Sequence, residues 1–417
     1  MYPLLVVAMC IPLCLGLSTL SQADDSFVIS YWCGPTPDQD PSVRYAEVAE
    51  CNFTHCLPPC GGVSVEQNKA ILDACEKNGL KYIIPDSRVM AKKPEDPDFA
   101  ANLDAVIADY AGHSATGGYF LTDEPNASAF PWLAAVNQYL LKKDPKHLPY
   151  INLFPNYANE QQLGNPTYEE HVEQFCSVVR PRLLSYDHYA LMNDGTERPI
   201  YFENMEIVRR QGLKHGVPMS FILLVVPHGP YRDPSGAEIR WQVYTALAYG
   251  TKAILYFTYW TPHGGDAWRF RNGIITYDGE RTAHFNQVKR INGELKVLGP
   301  TLMKLTSTGV YHTGEVPLGC RAPETGLPVR VTNDVPAVLG MFRHEDGSTW
   351  AMIVNRDMRK PARVELAFDK SAKTVAEVSA KTGVLIDLKL DETRSLSLDL
   401  HPGEGKLLKL GKTARWE

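Results

Sequence analysis

The sequence predicts a (β/α)8 barrel followed by a small C-terminal antiparallel β-sandwich. Three observations carry this. Between residue 27 and about residue 300, eight short apolar runs alternate with longer amphipathic stretches. The runs are near-continuously apolar, the mark of parallel strands buried on both faces. After about residue 305 the pattern changes to short alternating strands at close intervals, as expected of antiparallel sheets. Eight repeated units over this length suit a barrel better than an open sheet. No Gly-x-Gly-x-x-Gly follows the first strand and no phosphate loop is present, so a nucleotide-binding sheet lacks its main support.

The strand candidates, in order, are FVISYWCG (27–34), EVAECNFTHC (47–56), KYIIPDSR (81–88), GGYFLTDEP (117–125), PYINLFPNY (149–157), LLSYDHYAL (183–191), PMSFILLVV (218–226) and AILYFTYW (253–260). Helical patterns separate most of them. VEQNKAILDACEKNGL sets Ala70, Ile71, Ala74 and Cys75 on one face and stops at Gly79. DFAANLDAVIADYAG and FPWLAAVNQYLLKKD behave alike, and GAEIRWQVYTALAYG runs into the eighth strand. The barrel is assigned to 24–304 and the sandwich to 305–417. In the latter, VLGMFRHEDGSTWAMIVNRD turns at Asp346-Gly347, and ARVELAFD, LIDLKL, SLSLDL and GKLLKL follow. No concentrated set of acids, histidines or aromatics occurs there, which suggests a packing role.

Residues 1–23 carry no charged side chain and end in the small-x-small site Ser21-Gln22-Ala23. This reads as a secretory signal peptide with the mature chain starting near Asp24, and predicts a secreted or periplasmic protein. Cys10 and Cys14 lie in that segment without a lipoprotein box. No later stretch is apolar enough to span a bilayer. Seven cysteines remain, four of them crowded at Cys33, Cys51, Cys56 and Cys60. Export permits disulfides, and the odd number leaves at least one thiol unpaired. His55 is the only histidine near the cysteine group, so a disulfide or plain burial is favoured over a metal site. Asn52-Phe53-Thr54 and Asn126-Ala127-Ser128 are glycosylation sequons.

The 417 residues are 44% hydrophobic and 22% charged, with a net charge of -6 and both signs interspersed. No basic block suggests nucleic acid or an anionic membrane as partner. No cofactor motif is present.

Active residues of such barrels stand at the C-terminal strand ends. Those ends carry Trp32, Asp86, Asp123-Glu124, Asn156, Tyr186-Asp187-His188-Tyr189, His228, Tyr259-Trp260 and His263. Aromatic faces beside carboxylates suit sugars, whose C–H faces stack while the acids bond hydroxyls. Two carboxyl groups flanking a glycosidic bond supply the acid and the base or nucleophile. Trp32, Asp86, Asn156, Tyr186, His188, Tyr189, His228, Tyr259, Trp260 and His263 are the candidate sugar contacts. Strand neighbours point to opposite sides, so Asp123 and Glu124 are expected to divide. One would enter the barrel mouth and the other the surrounding shell, where Asp123 would cap or tune.

Asp123-Glu124-Pro125 at the end of the fourth strand resembles the Asn-Glu-Pro signature of clan A retaining glycoside hydrolases. RWQVYTALAYGTKAILYFTYW (240–260) is similar to the passage from helix seven to strand eight of their β-galactosidase-like members. The resemblance implies a barrel glycosidase acting on an oligo- or polysaccharide without a cofactor, and assigns the acid/base to Glu124. The clan's nucleophile glutamate at strand seven has no counterpart, since that strand reads SFILLVVPHG. The expected partner is Asp187. The alternatives are a substrate-assisted hexosaminidase-type reaction through Asp123-Glu124, and a carbohydrate-binding barrel without catalysis.

Overall fold

The computed structural model describes residues 26–265 and 268–411. The expected signal peptide, with Cys10 and Cys14, lies outside the described residues.

The barrel strands are β1 (Val28–Trp32), β2 (His55–Cys56), β3 (Lys81–Pro85), β4 (Thr116–Asp123), β5 (Leu148–Leu153), β6 (Leu184–Asp187), β7 (Met219–Leu224) and β8 (Ala253–Phe257). They form one parallel sheet in the order β1-β8-β7-β6-β5-β4-β3-β2. The remaining seam is joined by Thr54, whose N–H donates to Ile29 O, and by a bridge between Gly34 and Pro59. A disulfide between Cys33 and Cys60 pins that seam. Closing a loop of this size removes roughly 3–4 kcal/mol of unfolded-chain entropy. Cys51, Cys56, Cys75 and Cys176 are buried thiols, and Cys320 is half-buried.

The helices are α1 (Pro41–Glu50), α2 (Val65–Lys77), α3 (Phe99–Tyr110), α4 (Phe130–Lys143), α5 (Glu160–Leu163), α6 (Tyr168–Val178), α7 (Tyr201–His215), α8 (Gly236–Ala248) and α9 (Ala283–Met303). Their starts follow the sequence. Ser64, Asn159, Thr167 and Ser235 each close a capping box with the glutamine or glutamate three residues on.

The second strand is a correction. Residues 47–50 belong to α1, and only His55 and Cys56 pair. Asp40 caps α1, Pro41 opens it, and Tyr45 and Val48 bury at helical spacing. Cys51 then ends the helix, and Asn52 turns the chain at φ 63°. Both sequon asparagines serve the fold: Asn52 Nδ2 donates to Lys289 O, and Asn126 Nδ2 donates to Gln161 O and Gln162 O.

The remaining chain forms β9 (Leu305–His312), β10 (Val329–Val331), β11 (Ala337–His344), β12 (Thr349–Asn355), β13 (Ala362–Phe368), β14 (Thr374–Val378), β15 (Leu385–Leu388), β16 (Ser395–Leu400) and β17 (Gly405–Gly411). A sheet of order β15-β14-β17-β12-β11-β9 faces one of order β10-β13-β16, all antiparallel, as the sandwich expectation requires. The central strands β11 and β12 of the larger sheet are buried on both sides. Leu339, Met341, Ala351 and Ile353 point into the sandwich, whereas Val338, Phe342, Met352 and Val354 join the barrel's core. This explains why β11 reads as an unbroken apolar run. Trp241 of α8 donates its indole N–H to Arg356 O, and Tyr249 OH bonds His312 Nε2 at 2.9 Å across the same junction.

Gly340 of β11 sits where no side chain fits: an added Cβ would lie 2.1 Å from Ala248 O. Gly340→Ala is therefore expected to lower stability by roughly 1–3 kcal/mol. Chemical denaturation checks this, and an unchanged midpoint would show that the two units do not pack as described.

Candidate active site

Alternation along the strands sorts the candidates. Ile83, Tyr150, Leu255 and Phe257 face the barrel interior, while Tyr82, Ile84, Ile151, Ile254 and Tyr256 face the helices. On β6, Asp187 lines the interior cavity and Tyr186 faces outward, where it packs on Phe221 with ring centroids 5.4 Å apart.

β4 breaks the rule. Its register slips between Phe120 and Thr122, so that Phe120 pairs with Tyr150 and Asp123 with Asn152. This bulge changes the parity of the strand and re-aims Asp123 inward. Glu124 follows in the left-handed region at φ 45°. The expectation that the two acids divide is thereby corrected, because both line the same cavity.

That cavity, of about 370 Å³, opens at the C-terminal mouth of the barrel, within the size range of ligand pockets. It gathers the candidates Trp32, Asp123, Glu124, Asp187, Tyr189 and His228. It also brings in Asn152, Tyr157, Tyr231, Phe257, Trp268 and Phe270, which sequence reading had passed over. Asn152 left one signal: it is a lone amide inside an otherwise apolar strand, two residues from the inward Tyr150. Trp268 and Phe270 lie on the loop after β8, where sequence offers no periodicity to orient them.

The remaining candidates lie elsewhere. Asp86 points outward, ion-paired to Arg88 at 2.7 Å and accepting from Tyr110 OH at 2.8 Å. Asn156 donates its side-chain amide to Ile200 O. His188 is fully buried, with Nδ1 2.9 Å from Asn204 Oδ1. Tyr259 stacks on Tyr31 at 4.7 Å, Trp260 lies under the Arg44 guanidinium at 4.9 Å, and His263 meets Tyr277 at 3.7 Å.

One amide organises the acids. Asn152 Nδ2 donates to Asp123 Oδ1 at 3.1 Å and to Asp187 Oδ1 at 3.0 Å. Its orientation is set from behind, because Ser185 OH donates to Asn152 Oδ1 at 3.0 Å and Tyr150 OH lies 2.9 Å from Ser185 Oγ. Glu124 N–H donates to Asn152 O at 2.8 Å, and the Glu124 and Asp187 carboxyls line the same cavity within electrostatic reach of each other.

Three carboxyls so close resist joint ionisation. Burial and then the charges of Glu124 and Asp123 raise Asp187 well above the carboxylate range. Burial and the Asp123 charge push Glu124 up to about 7, against a lowering interaction with Asp187. Asp123 meets solvent at the mouth, yet the protein packed around its carboxyl raises it to about 6, against donations from Asn152 and the Glu124 N–H. Near neutrality the cluster thus holds at least one proton, on Glu124 or Asp187.

Aromatic rings wall the rest. Trp32 packs on Phe120 at 5.6 Å, and Tyr189 lies 5.0 Å from Phe257. His228 stands among Tyr231, Phe257 and Phe270 at 4.9, 5.2 and 4.9 Å. The Arg198 guanidinium covers Tyr157 at 4.1 Å and donates to Tyr231 OH at 3.2 Å.

No family model and no curated protein matches this chain. Solved structures do. A β-galactosidase from Bacillus circulans sp. alkalophilus is similar at TM-score 0.59 and 9% identity, over 93% of this chain and 99% of that one. A catalytic mutant of a GH42 β-galactosidase from G. stearothermophilus is similar at 0.57 and 8%, over 93% and 98%. For a β-galactosidase from the psychrophilic Marinomonas ef1 the values are 0.50 and 11%, over 68% of this chain, which spans 62% of that protein. These likenesses establish the fold: an eight-stranded parallel barrel with a trailing β-sandwich, the fold that the sequence resemblance implied.

The raised carboxyls bear on stability. The folded state holds more protons than the unfolded chain between the ordinary carboxylate range and about pH 7, so this cluster's contribution falls as pH rises through that window. Asp187→Asn removes one charge and keeps an acceptor for Asn152. It is expected to raise the melting temperature at pH 7.5 by about 1–2 °C, with the gain fading towards pH 4. A less stable variant at pH 7.5, by calorimetry, would refute this.

Proposed function

We propose that this chain is a glycoside hydrolase with Glu124 as the general acid and Asp187 as the second carboxylate. The observation that carries the reading is that Glu124 and Asp187, two raised and mutually interacting carboxyls, share one aromatic-walled cavity at the barrel mouth. A carboxyl raised to about 7 is protonated when it must deliver a proton to a leaving glycosidic oxygen. The β-galactosidases among the structural neighbours support a glycosidic substrate.

Flanking carboxyls sit roughly 5–5.5 Å apart in retaining enzymes and roughly 6.5–9.5 Å apart in inverting ones. Both carboxyls line the one cavity here. Asp187 is 5% exposed and tied to Asn152, so Glu124, at the mouth, is the member that turns to the sugar. Asp187 stays on the floor, where the positive charge that develops on the ring favours its ionised form against the burial that raises it at rest. The uncharged leader suggests that the reaction takes place on an oligo- or polysaccharide outside the cytoplasm.

A second reading has its own observation. Asp123 and Glu124 share one cavity, as a substrate-assisted reaction of an acetamido sugar would need. Hydrolysis restricted to N-acetylhexosaminides would favour it over the first.

Glu124→Gln is expected to lower kcat/KM on unactivated glycosides by about 10²–10⁴-fold. In the wild type, kcat/KM should fall as pH rises through about 7, as Glu124 loses its proton, and Glu124→Gln should lose that limb. An equally active variant would remove Glu124 from the chemistry. A wild type that binds a glycan yet cleaves none of a broad panel would make this a binding barrel.

A further inference from the structure

We infer that the sugar unit held against Asp123, Glu124 and Asp187 carries a free ammonium group, so that the ligand class is an unacylated amino sugar. The inference rests on reading the cavity as a sugar site.

The first argument is charge. Three carboxyl groups line the cavity, and among the described residues lining it none is lysine or arginine. Arg198 lies behind the wall, where its Nε donates to Tyr189 O and its Nη2 to Tyr231 OH. A uronate or a sulfated sugar would place its anion against carboxylates with no counter-charge. An ammonium supplies the missing charge.

The second argument is hydrogen-bond polarity, and it is independent of the acids. His228 is 4% exposed and lines the cavity. Its Nδ1 lies 2.8 Å from Val226 O. A carbonyl only accepts, so Nδ1 carries the proton and Nε2 presents a lone pair. Nε2 has no hydrogen-bond partner among the described residues, and it is not one of the sealed polar atoms of the interior. The buried ring therefore offers the cavity an acceptor. A hydroxyl brings one donor to this acceptor-rich lining, whereas an ammonium brings three.

The third argument is the wall. Tyr231, Phe257 and Phe270 surround the His228 end of the cavity, and aromatic faces attract cations through their quadrupole. Acetylating the amine would remove both the charge and two of the three donors.

The test is direct binding to the purified chain at pH 7, by calorimetry or ligand-observed NMR. The probes are glucosamine, galactosamine and mannosamine, each with its parent hexose, its N-acetyl derivative and the corresponding hexuronate. In the best-fitting series the amine is expected to bind about tenfold more tightly than the hexose and the N-acetyl sugar, with the hexuronate weakest. Asp123→Asn, and separately His228→Phe, should shrink the advantage of the amine. Equal binding of the hexuronate and the hexose, equal binding of the amine and its acetylated form, or no binding by any amine would overturn the inference. Hydrolysis of matched glycosides is scored apart. Cleavage without amine preference sinks this inference alone, and amine preference without cleavage sinks the hydrolase reading alone.

Discussion

In a closed parallel barrel each strand has one face in a shared interior and the other against the helices. Every functional distinction in this protein descends from that constraint. Asp187 and Tyr186 are neighbours in sequence, but one reaches the cavity and the other fills the helical shell. Asp86 ends its strand as plausibly as Asp187 ends its own, yet parity turns it outward into an ion pair with Arg88. Strand four escapes the constraint through a one-residue bulge. That slip carries Asp123 to the inside, and the left-handed Glu124 follows it. A site with three carboxyls exists because one strand departs from the regular period.

The electrostatics then follow from crowding. Burial alone raises each carboxyl, and each raises the others further. Asn152 makes the cluster tolerable by donating from one nitrogen to two acids, with its orientation imposed by Ser185 and Tyr150. Such an arrangement weakens the fold locally at neutral pH. It is supported by a large apolar core continuous from the barrel into the C-terminal sheet. The central strands of that sheet, β11 and β12, are packed on both faces, so they stiffen the barrel from the side of α8 without adding a described residue to the cavity.

The resemblance to clan A glycosidases is carried by Glu124-Pro125 at strand four, where Asp123 replaces the signature asparagine, and it fails at strand seven, which carries no acid. In the loop beyond that strand the buried His228 presents an acceptor to the cavity, and burial lowers its pKa. Negative charge is concentrated on strands four and six instead. The cavity retains aromatic walls suited to a sugar but distributes its acids differently from the family pattern.

Much of this was legible in the sequence. Apolar runs with amphipathic spacers announce the barrel, because two-sided burial leaves little room for polar residues along a strand. Capping boxes mark four helix starts, and the change of period near residue 305 marks the sandwich. Strand two was obscured because the last turn of α1, residues 47–50, runs almost directly into a strand of only two residues, His55 and Cys56. The sequence by itself placed Trp32, Asp123, Glu124 and Asp187 at or just past the ends of barrel strands. Only the tertiary structure decided which rim residues face one another. Facing depends on strand parity, on a bulge with no mark in residue type, and on a loop after strand eight whose aromatic rings are oriented by packing. Those are long-range geometric facts, and no local pattern of residues encodes them.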